Sequence, residues 1–94
     1  MDIDFEWDPA KAESNARKHG VTFMEAATAF SDPLSVTVGD PRHSVSEERF
    51  VLFGRSESGR FLAVMHTERG AALRIISARQ MTPGERREYE QGGK

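Results

Sequence analysis

The sequence predicts a small α+β domain: a mainly antiparallel sheet with two N-terminal helices and one C-terminal helix, in the order β-α-α-β-β-β-β-α. Three observations predict it. Apolar and polar side chains alternate with period two at the N-terminus and again through the second half of the chain. Two segments between residues 8 and 31 carry the start and stop signals of helices. The strand-like runs of the second half are separated by short turns rich in Gly and Ser, as in an antiparallel meander.

Each element has its own justification. Asp4 and Glu6 alternate with Ile3, Phe5 and Trp7, which gives a first strand with one buried face. Asp8-Pro9 supplies an N-cap with proline at the first helical position, and the helix runs through Ala10, Lys11, Ala12, Glu13 and Ala16 to His19-Gly20. Thr22 and Glu25 have the spacing of a capping box, opening a second helix through Met24, Ala26, Ala27 and Phe30 that Asp32-Pro33 stops. Leu34, Val36 and Val38 alternate with small polar residues in a second strand closed by Gly39-Asp40-Pro41, and Arg42 to Ser46 is a polar loop. Three strands follow at Arg49 to Arg55, Arg60 to Thr67 and Ala71 to Arg79, with Glu68-Arg69-Gly70 as the last turn. Thr82-Pro83-Gly84-Glu85 then caps a helix near Arg86 to Glu90, and Gln91 to Lys94 frays. The helices, coming before the meander, place Ala12, Ala16, Phe23, Ala27 and Phe30 on one face of the sheet and leave the other face open.

Ninety-four residues are enough for one hydrophobic core, so residues 1–94 are expected to form a single domain. An apolar content of 37% and a charged content of 30% fit a soluble globular chain. No stretch approaches the ~20 apolar residues of a membrane span. The N-terminus is acidic where a secretory signal is basic, so a cytoplasmic protein with no membrane partner is expected. Cysteine is absent, which removes disulfides, thiol catalysis and thiolate zinc sites.

The formal net charge of −2 argues against a general nucleic-acid coat, but the charge is unevenly placed. Acidic residues dominate up to Glu48. From Arg49 to Arg79 the bases Arg49, Arg55, Arg60, Arg69, Arg74 and Arg79 face only Glu57 and Glu68, and every one is Arg rather than Lys. Guanidinium groups bind phosphate through paired hydrogen bonds, so this half of the chain suits a phosphodiester backbone. In a regular strand Arg74 and Arg79 lie on opposite faces and share one only if the strand bulges or turns. The plainer reading is a set of solvated surface charges.

His19 follows Arg17 and Lys18 at a helix C-terminus, where the helix dipole favours its protonation and the neighbouring cations oppose it. As a structural residue it caps the helix beside Gly20. His66 lies in an apolar strand with Glu68 two residues on, and the plain account is a half-buried histidine. His43 sits in the polar loop. Three scattered histidines without ligand spacing predict no metal site and no cofactor. Glu68 and Arg69, in a turn, offer a carboxylate that accepts a proton and an arginine that meets a phosphate. Tyr89 offers a phenol or a stacking ring, or simply covers the edge of the core.

The order of these residues resembles one family. Phe5-Glu6-Trp7-Asp8-Pro9-Ala10-Lys11, Asn15, Lys18-His19-Gly20-Val21, Phe23, Glu25-Ala26, Phe30 and Asp32-Pro33 are similar to the opening block of the BrnT toxins. Asp40, His43-Ser44, Glu48-Arg49, Gly54, Ser56, Gly59-Arg60, His66-Thr67-Glu68-Arg69, Arg74 to Arg79, Glu85-Arg86 and Tyr89-Glu90 follow in the family's order. The resemblance spans Asp4 to about Glu90. It implies a fold related to RelE-type ribonucleases, RNA cleavage that halts translation, and neutralisation by a BrnA-like antitoxin with a ribbon-helix-helix part. Operator DNA is then bound only through the toxin–antitoxin complex.

The chemistry implied needs no metal. A base takes the proton of a ribose 2′-hydroxyl, the oxygen attacks phosphorus, and arginines hold the charge that accumulates. Glu68 or His66 is the expected base, Arg74 and Arg79 the clamps, and His19 or Tyr89 the acid. Lys11, Lys18, Arg49, Arg60 and Arg69 are expected to bind RNA. The rival from another class is a non-enzymatic module that binds a DNA-binding antitoxin as its regulatory partner. Direct DNA binding is disfavoured by the net charge and the lack of a basic recognition helix.

Overall fold

The structure, a computed structural model, describes residues 3–43 and 47–92. Met1 and Asp2, residues 44–46 of the expected polar loop, and Gly93-Lys94 of the expected frayed end lie outside these. The elements are β1 (Asp4–Glu6), α1 (Pro9–His19), α2 (Phe23–Thr28), β2 (Val36–Gly39), β3 (Arg49–Arg55), β4 (Phe61–Arg69), β5 (Ala72–Gln80) and α3 (Pro83–Glu90). Short 3-10 turns occupy Ala29–Ser31 and Pro41–His43. The α+β class and the element order agree with the sequence reading.

Local chemistry sets the helix boundaries. The Asp8 carboxylate accepts from the Ala10 N–H at 2.9 Å, and Gly20, at φ +68°, ends α1 by donating its N–H to the Ala16 carbonyl at 2.9 Å. Thr22 Oγ1 accepts from the Glu25 N–H at 3.0 Å, as expected. Only that half of the anticipated capping box forms, because the Glu25 carboxylate turns to Arg60 instead. At Thr82 and Glu85 both halves are present.

Two strand limits differ from the expected ones by more than one residue. β2 begins at Val36 rather than Leu34, because Asp32 Oδ1 accepts from the Leu34 N–H and the Asp32 carbonyl from the Ser35 N–H, both at 3.0 Å. Leu34 is left 70% exposed on that turn. Glu68 and Arg69, expected in a turn, belong to β4: Arg69 pairs with Ala72, and Gly70 at φ +59° makes the reversal.

The five strands form one sheet in the order β1-β5-β4-β3-β2, antiparallel throughout except that β1 runs parallel to β5. Helices α1 and α2 cover one face over Val21, Phe23, Ala26, Leu52, Leu62, Val64, Ile75 and Ala78, with Ala12, Ala27 and Phe30 packed around them. Burying each large aliphatic side chain there contributes roughly 1.5–3 kcal/mol. Gly54 lets β3 approach the 3-10 turn closely, since a Cβ there would stand 2.8 Å from the Ala29 carbonyl oxygen.

β1 pairs only with Ala72 to Arg74, leaving the rest of the β5 edge to another partner. Asn15 of α1 supplies it: its Nδ2 donates to the carbonyls of Ala78 at 2.8 Å and Val21 at 2.9 Å, and its Oδ1 accepts from the Ala78 N–H at 3.1 Å. A side-chain amide thus takes the place of a neighbouring strand. The second face of the sheet, expected to be open, is open only in part. Its far end is covered by α3, which places Tyr89 against Phe61 and the Arg86 guanidinium 4.0 Å over the Phe61 ring. Among the described residues no helix is long and apolar enough to cross a membrane.

Candidate functional site

The position of the charged side chains along β5 depends on one extra residue. Met65 lies opposite Ser77 and His66 opposite Ile75, so Ile76 has no partner and forms a β-bulge. In a regular strand Arg74 and Arg79 point to opposite faces. The bulge resets the alternation, and both stand on the face away from α1 and α2, Arg74 opposite Thr67 and Arg79 opposite Ala63. Ser77 lies between them on the same face. Burial follows the same shift, for the helix-facing Ile75 and Ala78 are three residues apart and both inaccessible.

Each arginine is held by a carboxylate. Arg74 Nη1 donates to Glu6 Oε2 at 2.9 Å, across the parallel pair of β5 and β1. Arg79 donates through Nη1 and Nη2 to the two oxygens of Glu85 at 2.7 and 3.0 Å, so it also anchors α3. These hydrogen bonds raise the Arg79 pKa and hold the Glu85 carboxyl below its ordinary value. Both arginine side chains remain 30% exposed, so neither is sealed from a ligand. Arg49 continues the row formed by Thr67 and Arg74, and Glu47 lies 3.7 Å from Arg49 and 3.8 Å from Arg69.

A shallow concavity of about 330 Å³ runs between α1 and the bulged edge of β5, lined by Lys11, Ser14, Lys18, His19, Ile76 and Ser77 among others. Lys11, Ser14 and Lys18 repeat at helical spacing and so share one side of α1. Ser77 belongs both to this trough and to the arginine face. Two lysines, a partly exposed imidazole and two arginines are therefore distributed along one strand.

Other residues singled out in the sequence stand elsewhere. His66 is 4% exposed, set edge-on to Phe30 at 4.9 Å and stacked with Phe50 at 5.8 Å, with Nδ1 3.2 Å from the Val64 carbonyl. Burial pushes its pKa down. It is a core residue on the helix-covered face. Glu68 follows it on that side of β4, opposite Leu73 and exposed. The structure therefore does not bring His66 and Glu68 together with Arg74 and Arg79; the same bulge that unites the arginines leaves the expected bases on the other face.

Arg60 is committed to a bracket across the fold. It pairs with Glu25 through Nε at 3.0 Å and through Nη2, and donates to the Gly20 carbonyl at 2.8 Å. Ser56 and Ser58 also donate to Glu25. The hydrogen bond from Arg60 leads in lowering the Glu25 pKa to about 2. Tyr89 donates its hydroxyl to Asp32 at 2.5 Å, and burial together with that carboxylate pushes the phenol up to about 12. It fastens the end of α3.

The parts not read from sequence are Ser77, the presence and place of the bulge at Ile76, and the carboxylates Glu6 and Glu85 as partners of the arginines. The available signal was the five-residue spacing of Arg74 and Arg79 around two adjacent isoleucines. Among the described residues no three His, Asp or Glu side chains are grouped to hold a metal ion.

Comparison with known proteins joins this geometry to a family. Residues 7–85 match the family model for BrnT, the ribonuclease toxin of type II toxin–antitoxin systems. No curated protein sequence matches the chain. The fold is similar to that of the Brucella abortus ribonuclease toxin BrnT, with a TM-score of 0.63 and 24% identity over 86% of this chain and 99% of that one.

Proposed function

The chain belongs to the BrnT family of ribonuclease toxins of type II toxin–antitoxin systems, and from that premise we propose that it cuts RNA internally, without a metal, on the strip of β5 between Arg74 and Arg79. The observation that carries this reading is the Ile76 bulge, which sets both arginines on one face with Ser77 shared between that face and the α1 trough. In this reading the RNA backbone lies across Ser77. Lys11 and Lys18 meet phosphates on the α1 side, and Arg49 and Arg69 meet them on the neighbouring strands of the arginine face.

His19 takes the proton of the ribose 2′-hydroxyl. The freed oxygen attacks the adjacent phosphorus, the bond from phosphorus to the 5′-oxygen breaks, and solvent protonates the leaving oxygen. Arg74 and Arg79 hold the negative charge that builds on the phosphoryl oxygens. The guanidiniums thus supply the positive charge that the mechanism requires. His66, Tyr89 and Arg60 serve the fold rather than the reaction, and Glu68 stands exposed on the opposite face of the sheet, away from it.

A BrnA-like antitoxin with a ribbon-helix-helix part neutralises the chain, and operator DNA is reached only through that complex. The acidic net charge supports this division of labour.

The test is cleavage of single-stranded RNA by the purified chain in EDTA, with Arg79→Ala and Glu85→Gln alongside. The wild-type chain cleaves, Arg79→Ala slows cleavage by about a hundredfold or more, and Glu85→Gln, which keeps the guanidinium, retains most of the activity. Equal losses in the two variants would reduce Arg79 to an anchor for α3. Intact RNA together with tight antitoxin binding would instead support a non-enzymatic binding module.

A further inference from the structure

The two edges of the sheet are protected differently. β1 is three residues long and carries Asp4 and Glu6, the charged short edge by which soluble sheets avoid pairing with other chains. β2, at the other edge, reads Val36-Thr37-Val38-Gly39 with no charge, and Val38 is 45% exposed. Among the described residues no strand pairs with its outer side. An uncharged, exposed edge is the usual template for an added strand.

Beside this edge, on the arginine face, an apolar cleft of about 190 Å³ opens between the sheet and α3, lined by Val36, Val38, Phe53, Glu85, Glu88 and Tyr89. Its walls are aliphatic and aromatic, and its rim carries the exposed Glu88 beside Glu85, whose charge Arg79 already pairs. The apolar walls and the Glu88 carboxylate offer phosphate no donor, so RNA is a poor occupant. A second copy of the chain pairing edge to edge brings an identical acidic rim against this one, which is also unfavourable.

We propose that the β2 edge and this cleft are the docking site of the antitoxin, which adds an extended segment antiparallel or parallel to β2. On the side chains that share the cleft's face, every second residue, that segment carries apolar groups over Phe53 and a Lys or Arg toward Glu88. The proposal rests on the reading of this chain as a toxin with an antitoxin partner. It also gives neutralisation a route: an occupant of the cleft lies against Glu85, the residue that holds Arg79.

The test uses the full chain and its purified cognate antitoxin. Val38→Lys, at an exposed position outside the catalytic strip, weakens antitoxin binding by about tenfold or more, the scale of one lost interface anchor. Its RNA cleavage in the absence of antitoxin stays unchanged. Glu88→Lys weakens binding likewise, and Asp4→Lys at the opposite edge does not. In the complex, amide hydrogen exchange of Val36 to Gly39 slows. Unaltered affinity in Val38→Lys without slowed exchange overturns the proposal, and so does a dimer of the free chain that Val38→Lys splits, since the occupant is then a second copy. If the wild-type chain leaves RNA intact while the binding effects hold, the nuclease reading fails and the docking site stands.

Discussion

The two faces of β5 are made by one strand and have opposite fates. On one side Ile75 and Ala78 are sealed under α1 and α2 with His66 and Val64; on the other Arg74, Ser77 and Arg79 stay accessible beside carboxylates. A single unpaired residue, Ile76, separates the two arrangements. The comparison teaches that the chemistry of a sheet face is set by register as much as by composition: without the bulge, one arginine of the pair points into the helix layer.

The contrast is sharpest in stability. Ile75→Ala, which opens a cavity under the helices, is expected to cost about 3–4 kcal/mol in chemical denaturation. Ser77→Ala, two positions on and across the bulge, stays within about 0.5 kcal/mol. A comparable loss in both would break the distinction between the faces.

Asn15→Ala comes next, at about 2–3 kcal/mol, because it strips partners from the buried backbone groups of Ala78 and from the Val21 carbonyl. Faster hydrogen exchange at the Ala78 amide, read by NMR, checks that the loss falls at the β5 edge. Glu25→Gln is expected to cost about 2 kcal/mol near neutral pH, through weakened bonds from Arg60, Ser56 and Ser58. The Glu25 pKa is lowered in the fold, so the stability it contributes is complete above about 4.5 and drains away as pH falls toward about 2. Acid titration of the denaturation midpoint follows this, with a shallower slope in the variant.

His66 gives the smallest effect, of opposite chemical sense. Its imidazole is buried and its pKa lowered, so the unfolded chain binds a proton first as pH drops below the ordinary value of 6.5. Stability therefore declines from about pH 6.5 down to the folded-state pKa and then levels off. His66→Phe, filling the same slot between Phe30 and Phe50, flattens the dependence of the thermal midpoint on pH between 7 and 5.

Much of the fold was legible because it is written locally. Asp8-Pro9, His19-Gly20, Thr22 and Thr82-Pro83 are cap signals that act within a few residues, and they mark helix ends correctly. Leu34 misled because alternation continued into a turn that the Asp32 side chain enforces. The parallel pairing of β1 with β5 left no local trace, since its partners lie 68 residues apart in the chain.

The site was legible in residue type and not in placement. Arg74 and Arg79 stood out as guanidiniums, and the condition for their sharing a face was itself readable, but whether the strand bulges depends on pairing with β4. His66 and Glu68 look reactive in a sequence because imidazole and carboxylate are reactive groups; Phe30 and Phe50, distant in the chain, decide that His66 is packed away. Arg60 is likewise indistinguishable from its neighbours until Glu25 is folded against it.

The most direct measurement is single-turnover RNA cleavage in EDTA by variants drawn from the two faces. Arg74→Ala and His19→Ala are expected to lose about a hundredfold or more, while Glu68→Gln cleaves at the wild-type rate. Full activity in Arg74→Ala and His19→Ala, with activity abolished in a folded Glu68→Gln, would place the reaction on the opposite side of the sheet and contradict the account.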